Sequence, residues 1–438
     1  MINKPSIRGR FWAIFSSVLV LFSSVFSLSG ATFFYTFGSE GGGAASITLG
    51  MDGAVSKHEV LPGNPLASPK KIAVSGDGEA VIVTTEEAKR AWIFPLSPSA
   101  QPPKILELDE ASTEVQALGS HALVSADKGY FYWIDLKSGR IDKKWNSRES
   151  LKPSGNKGED IVFLPGKDLA LVSFQKDSKE GKHKGSRLVL LDLRTLTAKA
   201  DLPLPRDNPK LNIAADKKEQ GPNPELIFLA PKSNTIALSL DLYGAMAFAD
   251  LDAALRGQWK NLDYIPTAPD GSWGHSFPDR GALFDLGGKD YLLIANAAEN
   301  GGMVLFDVKA RKIIQTFEVE AGAETPIYLP KEKKLVTAIS GKMKQRTAEG
   351  LEKSTTPGND LLVIDVAPLE TGGQAVLERI PFEQSVVRVN ALDPDTSSLL
   401  LLVEGESNLV IYDLATKKEI TREPAKGPVN RLAVWREK

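Results

Sequence analysis

From residue 32 onward the apolar positions never settle into the 3.6-residue spacing of an amphipathic helix; they form short runs separated by Gly, Asp, Asn and Pro clusters. That patterning predicts strands and turns along the whole length, an all-β chain. One kind of run recurs, apolar residues followed by Asp and one more apolar residue: YFYWIDL (130–136), LVLLDL (188–193), MAFADL (246–251), MVLFDV (303–308), LLVIDV (361–366) and LVIYDL (409–414). A seventh, AWIFPL (91–96), has Pro95 where the others have Asp. From Pro95 through Asp135, Asp192, Asp250, Asp307, Asp365 and Asp413 the steps are 40, 57, 58, 57, 58 and 48 residues. A repeat near this length, with several strands in each unit, is the period of a β-propeller blade.

Each unit divides into four strands, as in ALFDLGG (282–288), YLLIANA (291–297), MVLFDV (303–308) and IIQTFEV (313–319). Runs such as LLLLV (399–403) lack the in-out alternation of a half-exposed strand, as expected of blades sandwiched between two neighbours. A lone strand, VNRLAVW (429–435), follows the last unit, and FFYTFG (33–38), SITLGMD (46–52) and KHEVLPG (57–63) read as a unit lacking its first strand. Joining the two ends closes the ring, where an open one would leave an unpaired sheet edge and an uncovered apolar blade face, and this predicts eight four-stranded blades. Seven blades is the alternative, if residues 33–37 belong to a membrane anchor.

The units VLFDVKARKIIQTF (304–317), VIYDLATKKEI (410–420) and YWIDLKSGRIDKKW (132–145), the last with a terminal Trp, resemble the YVTN/lactonase-like and quinoprotein-like β-propeller repeat families. The resemblance extends over essentially the whole chain after the N-terminal segment and implies a propeller; its motifs specify a blade rather than a chemistry. Other copies lack the Trp, and the adjacent Cys pair typical of quinoprotein alcohol dehydrogenases has no counterpart in a chain without Cys.

The N-terminal segment carries Lys4, Arg8 and Arg10 ahead of an uncharged run from Phe11 to Ser39. This is the pattern of an export signal, with Ser29 and Ala31 placed for cleavage before Thr32, or of an uncleaved anchor helix that associates with a membrane through residues 11–37. Either way residues 32–438 are expected as one propeller domain outside the cytoplasm, periplasmic or secreted. The 53 Lys and Arg balance 55 Asp and Glu, which gives no basis for nucleic-acid binding. The lack of Cys removes thiolate zinc sites, covalent c-type haem and Cys nucleophiles. Only His58, His121, His183 and His275 are available, so no metal site and no cofactor are expected. Nucleotide-binding and hydrolase motifs are also absent from the sequence.

The recurring Asp precedes a turn such as DLKSG or DLATK, where a carboxylate accepts backbone N–H bonds, so its expected role is structural. In a meander, alternate turns share a face. The long insertions 146–158, 175–186, 206–223, 264–281 and 340–359 therefore share the face opposite the Asp turns, and long loops on a rigid scaffold are where binding resides. Within 264–281, Asp270, Trp273, His275, Asp279 and Arg280 gather two carboxylates, an aromatic ring, an imidazole and a guanidinium. They suit a sugar, a carboxylate or a peptide; the alternative is a Pro/Gly-rich linker whose Trp packs over a blade edge. His183 lies in the Lys-rich stretch 175–186, another binding candidate or simply a solvated loop. The expectation is a non-enzymatic scaffold for a protein or glycan partner. A lactonase-like hydrolase at the channel mouth is the second reading, and a quinone-dependent oxidoreductase relative is the third. The hydrolase requires side chains from several blades to converge on one pocket.

Overall fold

The computed structural model describes residues 32–435 apart from 39–41, 51–53, 64–65, 67, 86–87, 97–100, 152–156, 176–184, 207–210, 214, 216–217, 219–220, 275, 299–300, 320–321, 348–349, 356–357, 392–396 and 404–406. The proposed signal or anchor, residues 1–31, lies outside the described residues.

Eight antiparallel four-stranded sheets are arranged as the blades of a propeller. The first strands of blades 2 to 8 are Pro69–Val74, Ser112–Leu118, Lys157–Phe163, Pro224–Ala230, Arg280–Leu286, Ile327–Leu329 and Val386–Ala391. The first strands of successive blades touch, which places them innermost. Blade 1 is closed by both chain ends: Val429–Trp435 pairs with Thr32–Phe37 in a register running from Thr32↔Trp435 to Phe37↔Val429, and Gly43–Leu49 and Val55–Val60 complete the sheet. The joint is reinforced where Asn430 Nδ2 donates to the Gly38 carbonyl at 2.6 Å and Arg431 N donates to Thr36 Oγ1 at 3.2 Å.

The apolar core is divided among the eight interfaces between neighbouring blades. Phe33 and Tyr35 of blade 1 pack with Leu400 and Leu402 of blade 8, while Phe34 and Ala44 pack with Val81 and Trp92 of blade 2. The LLLLV strand shows why alternation is missing: Leu399 and Leu401 enter the interface with blade 7, Leu400 and Leu402 the interface with blade 1. Both faces of the strand are dry, so every position is apolar. Burying each of these side chains contributes roughly 1.5–3 kcal/mol, which makes the interfaces the main source of stability.

Five of the recurring aspartates cap their turns as expected. Asp135, Asp192, Asp365 and Asp413 each accept the backbone N–H two residues on at 2.8–3.0 Å, and Asp307 accepts that of Ala310 at 2.8 Å. Asp250 departs from the pattern because a helical turn, Leu251–Leu255, follows it; its carboxylate instead holds Arg311 of blade 6 at 2.8 Å. A second departure lies in blade 7, where the insertion 340–359 is not simply a loop: Lys342–Thr347 and Gly350–Thr355 form a separate two-stranded hairpin between the second and third strands.

Strand direction then fixes the two faces. Second-to-third connections and blade-to-blade connections share one face, which carries all five long insertions; the Asp turns occupy the other. Thr32 begins a second strand and Trp435 ends a first strand, so both described termini lie at the Asp-turn face.

Candidate functional site

The 264–281 connection leads from the outermost strand of blade 5, Asp263–Pro266, into the innermost strand of blade 6. It is stitched down along its length. Thr267 Oγ1 and Ser276 Oγ lie 2.7 Å apart and both donate to the Gly244 carbonyl at 3.1 Å, while Asn296 Nδ2 donates to the carbonyls of Thr267 and Gly301 at 2.8 and 2.6 Å. Asp270 is exposed and its Oδ1 accepts from Ser272 N at 2.9 Å, a local Asx turn. Trp273 packs, partly buried, on the cluster between blades 4 and 5. Asp279 Oδ1 lies 3.7 Å from Arg280 Nε, and Arg280 Nη1 donates to the Ala323 carbonyl at 2.5 Å and stands 3.7 Å from Glu324 Oε1 in blade 7. The structure thus brings Asp279 and Arg280 together, at an inter-blade contact; Asp270 and Trp273 serve a turn and a blade edge. His275 and His183 lie outside the described residues. Among the described residues no group of His, Asp and Glu is arranged to hold a metal ion.

Arg280 belongs to a larger set that reading the loops alone missed. Lys71, Glu114, Asp160, Arg280, Arg388 and Arg431 stand at one register position near the long-loop end of six innermost strands, opposite Thr84, Ser125, Ser173, Ala295, Leu402 and Thr36. Several of them bond the next blade around the ring. Lys71 pairs with Glu114. Asp160 Oδ2 accepts from Ile227 N at 2.8 Å, and Arg388 Nη1 donates to the Asn430 carbonyl at 2.9 Å. The buried hydroxyls opposite them act alike, Ser125 Oγ donating to the Gly158 carbonyl at 3.0 Å and Ser173 Oγ to that of Glu225 at 2.8 Å. Burial pushes the Asp160 carboxyl up to about 6; the N–H bonds from Ile227 and Ile161 pull the other way, and neighbouring Glu114 adds to the rise. Aligned by unit, KKI, TEV, EDI, VRV and NRL share a charge followed by a β-branched or Leu residue, a signal available in the sequence. These groups act as a belt joining blades at the channel mouth.

On the opposite face, a cavity of about 510 Å³ opens between blades 2 and 3, edged by Ser75, Asp77, Glu79, Lys104 and Lys137. It lies beside Pro95, the unit end that lacks the turn-capping Asp.

No family model and no curated protein matches the chain. Solved structures do share its fold. The dihydro-heme d1 dehydrogenase NirN, in complex with DHE, superposes with a TM-score of 0.65 at 14% identity, covering 92% of this chain and 74% of that one. BamB from Moraxella catarrhalis gives 0.52 at 11% identity over 82% and 90% of the two chains, and apo AztD from Citrobacter koseri gives 0.53 at 12% over 93% and 98%. At such identities the likeness is one of fold alone, the β-propeller.

Proposed function

We propose that this chain is an exported propeller whose long-loop face binds a protein or glycan partner, without chemistry of its own. One observation carries the reading: all five long insertions project from a single face of a ring whose geometry is otherwise uniform. Such a face presents variable loops on a rigid base, the arrangement that serves recognition. The described members of the sequence-derived cluster support it too. Asp270 and Trp273 fold the loop and Arg280 ties two blades, so they do not meet around one pocket as a lactone hydrolase requires.

Site-specific photo-cross-linking tests the reading. A cross-linker at residue 154, in the connection between blades 3 and 4, is expected to capture a partner in cells, and one at residue 138, in an Asp turn, is not. Capture only from residue 138 overturns the assignment of the face, and lactone turnover abolished by His275→Ala overturns the binding role itself. Intact-mass measurement of the exported species, expected to begin at Thr32, tests export with cleavage.

A further inference from the structure

The seam that closes the ring has a phenol and an imidazole built into it. Tyr35 stands within Thr32–Phe37, opposite Leu432 of the C-terminal strand, and is fully buried. Its hydroxyl reaches both sides of the seam. Lys426 N, in the connection from blade 8 to Val429–Trp435, donates to it at 3.1 Å, and His58 Nε2, on the outermost strand Val55–Val60, lies 2.6 Å away.

Counting hydrogens fixes the state of the imidazole. A backbone N–H can only donate and a phenol has one hydrogen, so the Tyr35 oxygen accepts from Lys426 and its own hydrogen goes to His58 Nε2, which must then be unprotonated. An imidazolium carries hydrogens on both nitrogens. Two N–H groups would then point at one oxygen, and the hydrogen of the buried Tyr35 would lose its acceptor, a costly defect inside a fold. The surroundings favour the same state. Burial and the Lys426 ammonium hold His58 below its ordinary value of 6.5, while Glu423 on the outermost strand of blade 8 pulls the other way. Ile47, opposite His58 on Gly43–Leu49, brings no charge, and the flanking Lys57 and Glu59 pair with each other at 2.7 Å. Burial also raises Tyr35 to about 12, so the phenol keeps its hydrogen wherever His58 titrates.

We propose that Tyr35 and His58 form a proton-operated latch on the ring closure: neutral His58 holds Thr32–Phe37 to the blade 8 connection, and protonated His58 loosens that seam while the other blades stay shut. The latch is independent of what the long-loop face binds. The opened seam takes up a proton more readily than the closed one, so closure is strongest above pH 6.5 and weakens as pH falls below it. Acid becomes a signal that the closure reads, one that an exported chain meets directly.

Hydrogen–deuterium exchange of the full chain at about pH 5 and about pH 7.5, corrected for the intrinsic pH dependence of amide exchange, tests this. Opening of Thr32–Phe37 relative to Leu169–Gln175 of blade 4 is expected to rise at the lower pH by at least threefold and by no more than about thirtyfold, the limit for a group that titrates near 6.5 once released. His58→Gln gives Tyr35 an acceptor that does not titrate, so the rise is expected to fall below about twofold while opening at the higher pH stays unchanged. Comparing parent with variant cancels the titration of Asp160, which both share. No rise in the parent, an equal rise in His58→Gln, or a rise shared by Leu169–Gln175 overturns the proposal. The parent alone supplies a second measurement should the variant fail to fold: His58, identified by NMR through its contact with the Tyr35 ring, is expected to titrate below 6.5, and titration at or above that value overturns the latch.

Discussion

The two faces of the ring differ in how they are built. On the Asp-turn face five blades use one device, a carboxylate accepting N–H bonds from its own turn, so short connections repeat with little variation. On the long-loop face the described connections differ widely, from the three residues 127–129 to the inserted hairpin of blade 7. Beneath that irregular surface, however, the charged belt and buried Ser and Thr hydroxyls bind blade to blade. The comparison teaches that the ring is secured independently of its loops: regular turns hold one end, inter-blade bonds the other, and the insertions are left free to vary.

The most severe way to break both faces at once is to open the ring. Deleting residues 429–438 removes the strand paired along Thr32–Phe37 and uncovers Phe33 and Tyr35, which are fully buried. The expected loss exceeds about 5 kcal/mol, from lost ladder hydrogen bonds and apolar exposure together. Urea denaturation should show a lost or much weakened cooperative transition.

Next comes a buried charge below the long loops. Arg187 is fully buried, at the start of the third strand of blade 4, and its Nη1 donates to Asp201 Oδ2 at 2.6 Å. Asp201→Ala removes the carboxylate from the guanidinium and should cost about 2–4 kcal/mol, the upper range being reduced because Asp201 is partly exposed. The pair replacement Arg187→Met with Asp201→Leu should recover most of that loss in the same denaturation assay, since the apolar substitutes leave no uncompensated charge.

The belt gives a pH-dependent test. The folded-state pKa of Asp160, about 6, lies above its unfolded value near 3.9, so between these values the native state binds more protons than the unfolded one. Its contribution is therefore most favourable below about pH 4 and is lost as pH rises through 6, by roughly 2–3 kcal/mol in all. Asp160→Asn should improve relative to the parent between pH 4.5 and 7.5, as read by denaturation midpoints. An unchanged difference would place Asp160 in wetter surroundings than its bonds to Ile161 and Ile227 imply.

On the regular face a single turn matters less. Asp413 accepts from Ala415 N at 3.0 Å, Thr416 Oγ1 at 2.6 Å and Ser397 Oγ at 2.8 Å, and these bonds hold its carboxyl below the usual range despite burial. Asp413→Ala should cost about 1 kcal/mol, measured by thermal shift.

This ordering follows what the sequence makes legible. The period of the Asp-ended runs announced blades, and the orphan strands at the two ends announced how they close, because both follow from local pattern and from the need to cover edges. The residues YIPTAPDGSWGHSFPDRG looked like a site because chemical groups crowd together along the chain. Folding sends Trp273 to the blade 4–5 cluster and Arg280 to blade 7, since linear proximity on a loop says nothing about direction. Conversely Lys71, Glu114 and Asp160 are dozens of residues apart and gather only when the ring aligns equivalent positions. The hairpin was hidden because polar alternation in KMKQRT resembles a solvated loop; its strand character resides in pairing with GLEKST.

The smallest expected effect on stability is the one that sharpens the contrast between faces. Replacing residues 342–355 by a short Gly/Ser linker deletes a separate two-stranded sheet while leaving Lys334–Ala338 paired with Asp360–Asp365 in blade 7. The hairpin is a sheet of its own, so no ladder of blade 7 is removed. Loop closure changes by only about 0.6 kcal/mol per doubling of length, and a shorter connection lowers that cost. The unfolding free energy from urea denaturation should therefore stay within about 0.5 kcal/mol of the parent. A large destabilisation would mean that the hairpin braces blade 7, in which case the long-loop face carries structural weight of its own and the division between a fixed ring and free insertions fails at that blade.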